Sequence, residues 1–306
     1  MSEIKFNIAI IGAGKIAFSL TNSLINSGFI ISIVVSKSIS SAKILANKFN
    51  INLYSDNLQD LPASCNVFFL CVPDSQLKLM SKKLSGIKFN FPKSIFIQLS
   101  GTHTAKVLTA LDKKKAMTAS FHIMQTFPSK KIVSLSKIYV AIETKSHRAE
   151  EILLSLAEEL DLIAFKLKSR NKIFYHLAAV FASNFLIGNY FSSQKLFENA
   201  KIQGTDFRKI MIPIISSTVS NLKKFGAAKS LSGPVERGEL QIIKEHLNAL
   251  KKKNHATKIN VEALNYISQS LSLLSLIEQS DDKLSDAQTR IYEFLLKELK
   301  CISSKI

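Results

Sequence analysis

Three features are scarce in this chain of 306 residues. Its cysteines, Cys65, Cys71 and Cys301, lack CxxC spacing and a nearby histidine pair, so we expect reduced structural thiols and no metal site. No stretch approaches the roughly 20 apolar residues that cross a bilayer; the nearest candidate, 177–191, is too short and contains serine and asparagine. The apolar run at the N-terminus leads into a glycine-rich turn and not a signal-peptide cleavage site. We therefore expect a cytoplasmic protein without a membrane segment.

Negative charge is also scarce. The net charge is +18, and no acidic residue occurs between Glu3 and Asp56. A strongly positive net charge suggests nucleic acid as a possible partner. However, the lysines are scattered, and the phenylalanines lie inside apolar segments instead of beside a basic patch. We therefore expect no nucleic-acid partner and interpret the charge as attraction for phosphorylated cofactors and acidic small molecules.

The first half of the chain alternates short apolar runs with helical patterns, which is typical of a parallel sheet built from βαβ units. Several runs are continuously apolar, as in strands that are covered on both faces. The predicted strands are 6–11, 30–35, 67–72, 94–99, 116–121, 138–142 and 162–167. The predicted helices between them are 15–27, 40–49, 74–85, 104–111 and 147–160.

After residue 170 the strand-like runs stop and long helical patterns follow. They cover 171–198, 205–225, 239–252, 259–279 and 283–300. The second contains Pro213, which should kink it, and ends at Gly226. The stretch 177–187 is apolar on nearly every face, so we expect it to be buried centrally. The fold class is thus α/β, with a Rossmann parallel-sheet domain (1–168) followed by an all-α domain (169–306).

A GxGxxA turn follows the first predicted strand and opens the first predicted helix. Gly12 permits the tight turn, and Gly14 lets a pyrophosphate approach the backbone, where the free N–H groups of the helix hold the anion. This context favours dinucleotide binding over a glycine turn that binds nothing. The predicted contacts are Gly12, Ala13, Gly14, Lys15 and Ile16.

The end of the second predicted strand decides between NAD and NADP. NAD-binding domains usually place Asp or Glu there for the ribose, whereas this chain has Ser36, Lys37 and Ser38. Hydroxyls and an ammonium bind a 2′-phosphate that a carboxylate would repel. We therefore predict NADP(H). The alternative is an ordinary serine loop with a solvated lysine.

Three later strand ends carry polar residues, and ligands of open α/β sheets bind at such ends. Val72, Pro73 and Ser100 are predicted cofactor contacts. His122 is a candidate proton donor, with Gln125 behind it as a substrate contact. His103 is better explained as a residue at a helix start.

The helical half offers a second set of candidates. His176 and Ser183 are seven residues apart, nearly two turns, so they share a helix face, with Asn184 about 80° away. His176 and Asn184 are candidate catalytic residues and Ser183 a substrate contact, although a satisfied core histidine also explains His176. Arg237 lies in a loop with two glycines. It either binds an anionic substrate group or forms a salt bridge that closes the loop.

The phrases at 125–128, 175–184 and 233–239 resemble Rossmann-like oxidoreductase relatives that carry the domain of unknown function 2520. The chain departs from that family at Ile123, where proline is common, at Gln98, where histidine is frequent, and at Glu239, where aspartate is common. We therefore place no proton donor at Gln98.

The resemblance implies a layout similar to pyrroline-5-carboxylate reductase and 3-hydroxyisobutyrate dehydrogenase. It also implies a small-molecule substrate between the domains and a homodimer through the helical part. We predict an NADP-dependent enzyme that transfers a hydride to or from a small carbonyl, imine or hydroxy compound. The alternative is a non-catalytic NADP-binding redox sensor or regulatory protein.

Overall fold

The computed structural model describes residues 6–252 and 260–303. Within them the strands are β1 Ile8–Ile11, β2 Ile31–Val35, β3 Tyr54–Ser55, β4 Val67–Leu70, β5 Ile95–Gln98, β6 Met117–Ile123, β7 Tyr139–Thr144 and β8 Ile163–Lys166. They form one sheet in the order β3-β2-β1-β4-β5-β6-β7-β8. This is the predicted Rossmann-like sheet, with the strand order reversing direction at β1.

Each predicted strand is present, with ends that differ by no more than two residues. The sequence did not reveal β3, because two residues are too few to show a hydrophobic period. The sheet is parallel, as predicted, except at one place, where β6 and β7 are antiparallel. The chain enters β7 without the crossover helix that a parallel neighbour requires, so it returns in the opposite direction.

Helices cover both faces of this sheet. They are α1 Lys15–Asn26, α2 Ile39–Lys48, α3 Leu77–Leu84, α4 Thr109–Asp112 and α5 His147–Glu159. Ile8 and Ile10 pack in one apolar cluster with residues of α1, α2 and α5. Ala9 and Ile11 pack in a second cluster with residues of α3 and α4. Because successive side chains of a strand point to opposite faces, the continuously apolar strand supplies both cores.

The later helices are α6 Lys172–Ala179, α7 Phe185–Asn199, α8 Phe207–Ser230, α9 Leu240–Lys251, α10 Val261–Asp281 and α11 Asp286–Ser303. Two compact units result, Met1–Leu186 and Ile187–Ile306. The predicted boundary at 168/169 falls where the sheet ends, whereas the first unit also includes α6. The reason is that α6 contacts the sheet through its side chains. In the second unit, α9, α10 and α11 share an apolar core.

The expected central burial of 177–187 was wrong. Leu177 is 42% exposed, Phe181 66% and Ile187 67%. The apolar core of the second unit is supplied by later helices, so the apolar side chains of this stretch stay on the surface of the single chain.

The second long helix continues through Pro213, where the sequence predicted a kink. It is interrupted at Gly226, its predicted end, where φ is 75°, and a further helical segment runs to Ser230. Glycine adopts this conformation without strain, so the chain turns there and resumes a helix. None of the described helices is long and apolar enough to span a membrane.

Candidate active site

The glycine turn fits a diphosphate. Gly12 has φ of +101°, and a Cβ on it would lie 2.4 Å from the Cys71 carbonyl oxygen. Gly14 precedes α1 and would place a Cβ 3.3 Å from the same oxygen. No described side chain caps the start of α1. Its free N–H groups therefore face the turn, as anion binding requires.

The other three predicted residues of the turn differ in their exposure to solvent. Ala13 is buried, Ile16 is half-buried, and Lys15 is exposed at the first residue of the helix. An exposed ammonium at a helix N-terminus is free to approach a phosphate group.

The segment after β2 lies beside the turn, because Gly12 N donates to Val35 O at 2.7 Å. Ser36 is half-buried and Lys37 is exposed. Ser38 caps α2 by accepting a hydrogen bond from Ser41 N at 3.4 Å. Two hydroxyls, an ammonium and a helix N-terminus thus follow β2 in succession, and groups of these kinds favour a phosphate over a neutral ribose.

The loops after β4 and β5 are joined by Ser100. Its hydroxyl donates to an Asp74 carboxylate oxygen at 2.5 Å and accepts from the backbone N–H groups of Thr102 and His103. Gln98 accepts from Ser100 N and donates to His103 O, each at 2.6 Å. Gln98 therefore shapes the loop instead of reaching a ligand. Val72 is half-buried and Pro73 exposed beside this loop.

Two histidines meet at the carboxyl end of β6. The Nδ1 atom of His122 lies 2.9 Å from the Tyr175 hydroxyl of α6. The rings of His122 and His176 have centroids 6.5 Å apart. A Cβ on Gly101 would lie 2.8 Å from His122 Nε2 and 2.6 Å from His176 Nδ1. Only glycine at position 101 allows both imidazoles to approach the loop after β5.

A buried lysine completes this group, and sequence reasoning did not assign it a role. Lys172 is 1% exposed, and its Nζ donates to the hydroxyl of the fully buried Ser120 at 2.5 Å. Ser120 pairs in register with Gln98 on one side and with Glu143 on the other. Glu143 accepts from Ala105 N and from the Ser169 hydroxyl, each at 2.6 Å. Two features of the sequence could have indicated this group: a carboxylate inside an apolar strand, and a lysine one turn before His176.

Burial sets the protonation of these groups. It lowers the pKa of His122 to about 4, helped by the charges of Lys172 and His176 and opposed by Asp74. It lowers the pKa of Lys172 to about 8, against the carboxylates of Glu143 and Asp74. It raises the pKa of Tyr175 to about 12. At neutral pH, the His122–Tyr175 pair is uncharged and lies near an ammonium.

The remaining predicted residues are placed as follows. Gln125 accepts a hydrogen bond from Thr126 N at 2.7 Å. Ser183 is half-buried and Asn184 exposed, both in the π-helical turn Val180–Asn184. The face that Ser183 was expected to share with His176 assumed a regular α-helix, and a π-helical turn changes that angular spacing. Arg237 makes two hydrogen bonds of 2.9 Å to Glu239, which is the loop-closing alternative.

Comparison with protein families bears on both halves of the chain. Residues 7–100 match the family described as NADP oxidoreductase coenzyme F420-dependent. Residues 138–263 match the domain of unknown function 2520. The resemblance based on the three sequence phrases is therefore confirmed. The predicted cofactor, NADP(H), agrees with the family that matches the sheet domain.

Solved structures show the same fold. A Bacteroides fragilis protein described as a candidate NADP oxidoreductase is 23% identical over 88% of this chain and 97% of its own, with a TM-score of 0.73. A Thermotoga maritima protein is 25% identical over 90% and 99%, with a TM-score of 0.67. A pyrroline-5-carboxylate reductase from Coxiella burnetii is 15% identical over 88% and 98%, with a TM-score of 0.55. The comparison with curated proteins gives no match.

Proposed function

We propose that this chain is an NADP(H)-dependent reductase or dehydrogenase that transfers a hydride to or from a small carbonyl, imine or hydroxy compound. The observation that carries the proposal is the pair His122–Tyr175, with His176 beside it. This group lies at the same sheet edge as the glycine turn, at the ends of the neighbouring strands β1, β4, β5 and β6. A cofactor bound at this turn extends along that edge in open α/β sheets.

The nucleotide half of the site binds through backbone and charge. The start of α1 and Lys15 would hold the diphosphate. Ser36, Lys37 and the N-terminus of α2 would hold the 2′-phosphate. Each supplies a positive charge or an N–H or O–H donor, which is what a phosphate group binds.

The other half of the site would transfer a proton to or from the substrate. NADP(H), when bound, supplies or accepts the hydride. A hydride added to a carbonyl or imine carbon leaves charge on oxygen or nitrogen that a proton must neutralise. The uncharged pair of His122 and Tyr175 can relay that proton to or from the substrate, and His176 flanks the same position. Asn184, Ser183 and Gln125 remain proposed contacts to a substrate.

Cofactor choice can be tested with a single carboxylate. Ser36→Asp places a negative charge where the 2′-phosphate is proposed to bind, so NADPH affinity should fall by about tenfold or more, whereas NADH affinity should hold or rise. The matched control is Ser64→Asp, which adds the same charge at an exposed position before β4. Calorimetric titration measures both affinities. Equal losses in the two variants would contradict the assignment of the phosphate.

Catalysis can be tested by following NADPH oxidation with a panel of small keto acids, aldehydes and imines. His122→Gln should lower kcat by about 100-fold or more if His122 transfers the proton. The matched control is His147→Gln, whose imidazole is exposed and pairs with Glu151. NADPH binding without oxidation by any member of the panel would favour the alternative, a non-catalytic redox sensor.

We also propose a homodimer through the helical part. No Asp, Glu, Lys or Arg occurs between Lys172 and Lys195 or between Lys209 and Lys223. Large apolar side chains on α7 and α8 are exposed, including Ile187 (67%), Phe191 (58%) and Ile214 (62%). Monomeric proteins rarely leave so apolar a surface in water, and a second copy would cover it.

The proposed location is the cytoplasm, where thiols remain reduced. Cys65 and Cys71 are buried and unpaired, and burial raises the pKa of both thiols. Cell fractionation with a tagged chain would test this.

A further inference from the structure

Lys172 is a buried cation that has no role in the proposed reaction. Lysine is almost never fully buried unless it is paired. Its hydrogen-bond partner is Ser120, a neutral hydroxyl. The nearest carboxylate along the strand register, Glu143, is already engaged by Ala105 N and Ser169. The direct hydrogen-bond partner of the ammonium is therefore neutral, while the carboxylates of Glu143 and Asp74 act on it through space.

Lys172 and His122 lie on two elements that contact each other, α6 and β6. Lys172, Tyr175 and His176 have spacings of three and four residues, so they occupy one face of α6. Ser120 and His122 are two residues apart in β6 and occupy one face of the sheet. Two side-chain contacts join these faces, Lys172 to Ser120 and Tyr175 to His122.

The charged and titratable groups around His122 come from three elements. Lys172, Tyr175 and His176 are on α6. Asp74, in the loop after β4, attracts a proton to His122 but also accepts the Ser100 hydroxyl. Glu143, on β7, acts on Lys172.

We propose that Lys172 is a positioning residue: its buried ammonium adds to the effect of burial in disfavouring a charge on the imidazole of His122, and it fixes the helical turn that presents Tyr175 to that imidazole. This inference concerns the same group of residues as the proposed function but does not depend on any reaction. The consequence is a pair, His122 and Tyr175, that shares one proton across the whole neutral range. The lowered pKa values of His122 and Lys172 agree with the geometry.

The test is a histidine titration by NMR, with the His122 signal assigned from His122→Gln. Lys172→Met keeps the length of the side chain and removes its charge, so the pKa of His122 should rise by about one unit or more. Lys172→Arg keeps the charge and should leave His122 neutral to low pH. Lys168→Met removes an exposed positive charge nearby and should change nothing.

The unsubstituted protein provides a second measurement that no folding defect can disturb. The His122 signal should show a further inflection near pH 8, coincident with the titration of the Lys172 ammonium observed directly. An unchanged pKa of His122 in Lys172→Met, or a His122 signal that is flat while Lys172 loses its proton, would overturn the proposal. Neither readout requires NADP(H) or turnover, so a failure here is distinct from a failure of the proposed function.

Discussion

Similar apolar residues are buried in the sheet but exposed on the helices α7 and α8. Phe68 and Phe96 are fully buried and stack with ring centroids 4.4 Å apart. Phe191 and Phe225 are 58% and 56% exposed. The sheet completes its core within one chain, because helices cover both of its faces. The helices α7 and α8 leave large apolar side chains exposed, and this exposure is the basis of the proposed homodimer.

The largest effect should come from the sheet core. Phe96→Ala removes a fully buried ring and leaves a cavity, so the free energy of unfolding should fall by ~3–5 kcal/mol. Urea unfolding measures this loss. The matched substitution Phe191→Ala, on the exposed face, should cost less than ~0.5 kcal/mol in dilute samples. A similar loss for both would contradict the contrast between the two regions.

The glycine turn should be the next most sensitive part. Gly12→Ala puts a Cβ against a backbone carbonyl at positive φ, so stability should fall by ~1–3 kcal/mol and NADPH binding should be lost. The control is Gly28→Ala, which also has positive φ but no atom within 4 Å of the added Cβ. It should share the backbone strain and keep NADPH binding, as thermal shifts with and without NADPH would show. Loss of binding in both would point to strain alone.

The loss of folding stability in acid should depend on His122. Its pKa is about 4 in the folded chain and 6.5 as the ordinary value. Between these values the unfolded chain binds the proton and the folded chain does not, so stability falls as the pH drops from 6.5 to 4. We expect a loss of ~1–3 kcal/mol, which His122→Gln should remove. Urea unfolding at several pH values checks this, and identical pH dependence in the variant would contradict it.

The smallest effect on folding should accompany the largest effect on assembly. Ile214→Glu places a charge in the exposed apolar face of α8 and should leave the unfolding of dilute protein within ~0.5 kcal/mol. The same change should convert a dimer to a monomer in sedimentation experiments. Lys297→Glu, exposed on α11, is the control and should not alter the mass. A monomeric unsubstituted chain at micromolar concentration would contradict the proposed dimer.

The sequence predicted what depends on local patterns. Continuous apolar runs predicted the buried strands, and the glycine turn with the serines after β2 predicted NADP(H), the cofactor of the family that matches this domain. The predicted strand-end residue His122 does lie beside His176. Both rings approach Gly101 in the loop after β5. Hydrophobic periodicity does not predict such a meeting at a loop.

Other features depend on elements far apart in the chain. Lys172 and Ser120 are separated by 52 residues, and His122 and Tyr175 by 53. Their meeting is set by how α6 docks on the sheet, which a single sequence does not reveal. The exposed stretch 177–187 was misplaced for a related reason, because apolar character predicts burial without saying which surface provides it.

The most direct measurement is a calorimetric titration of the unsubstituted chain with NADPH and NADH under the same conditions. The account predicts that NADPH binds about tenfold or more tightly, since Ser36 and Lys37 are proposed to hold the 2′-phosphate. Tighter binding of NADH, or no binding of either, would contradict it.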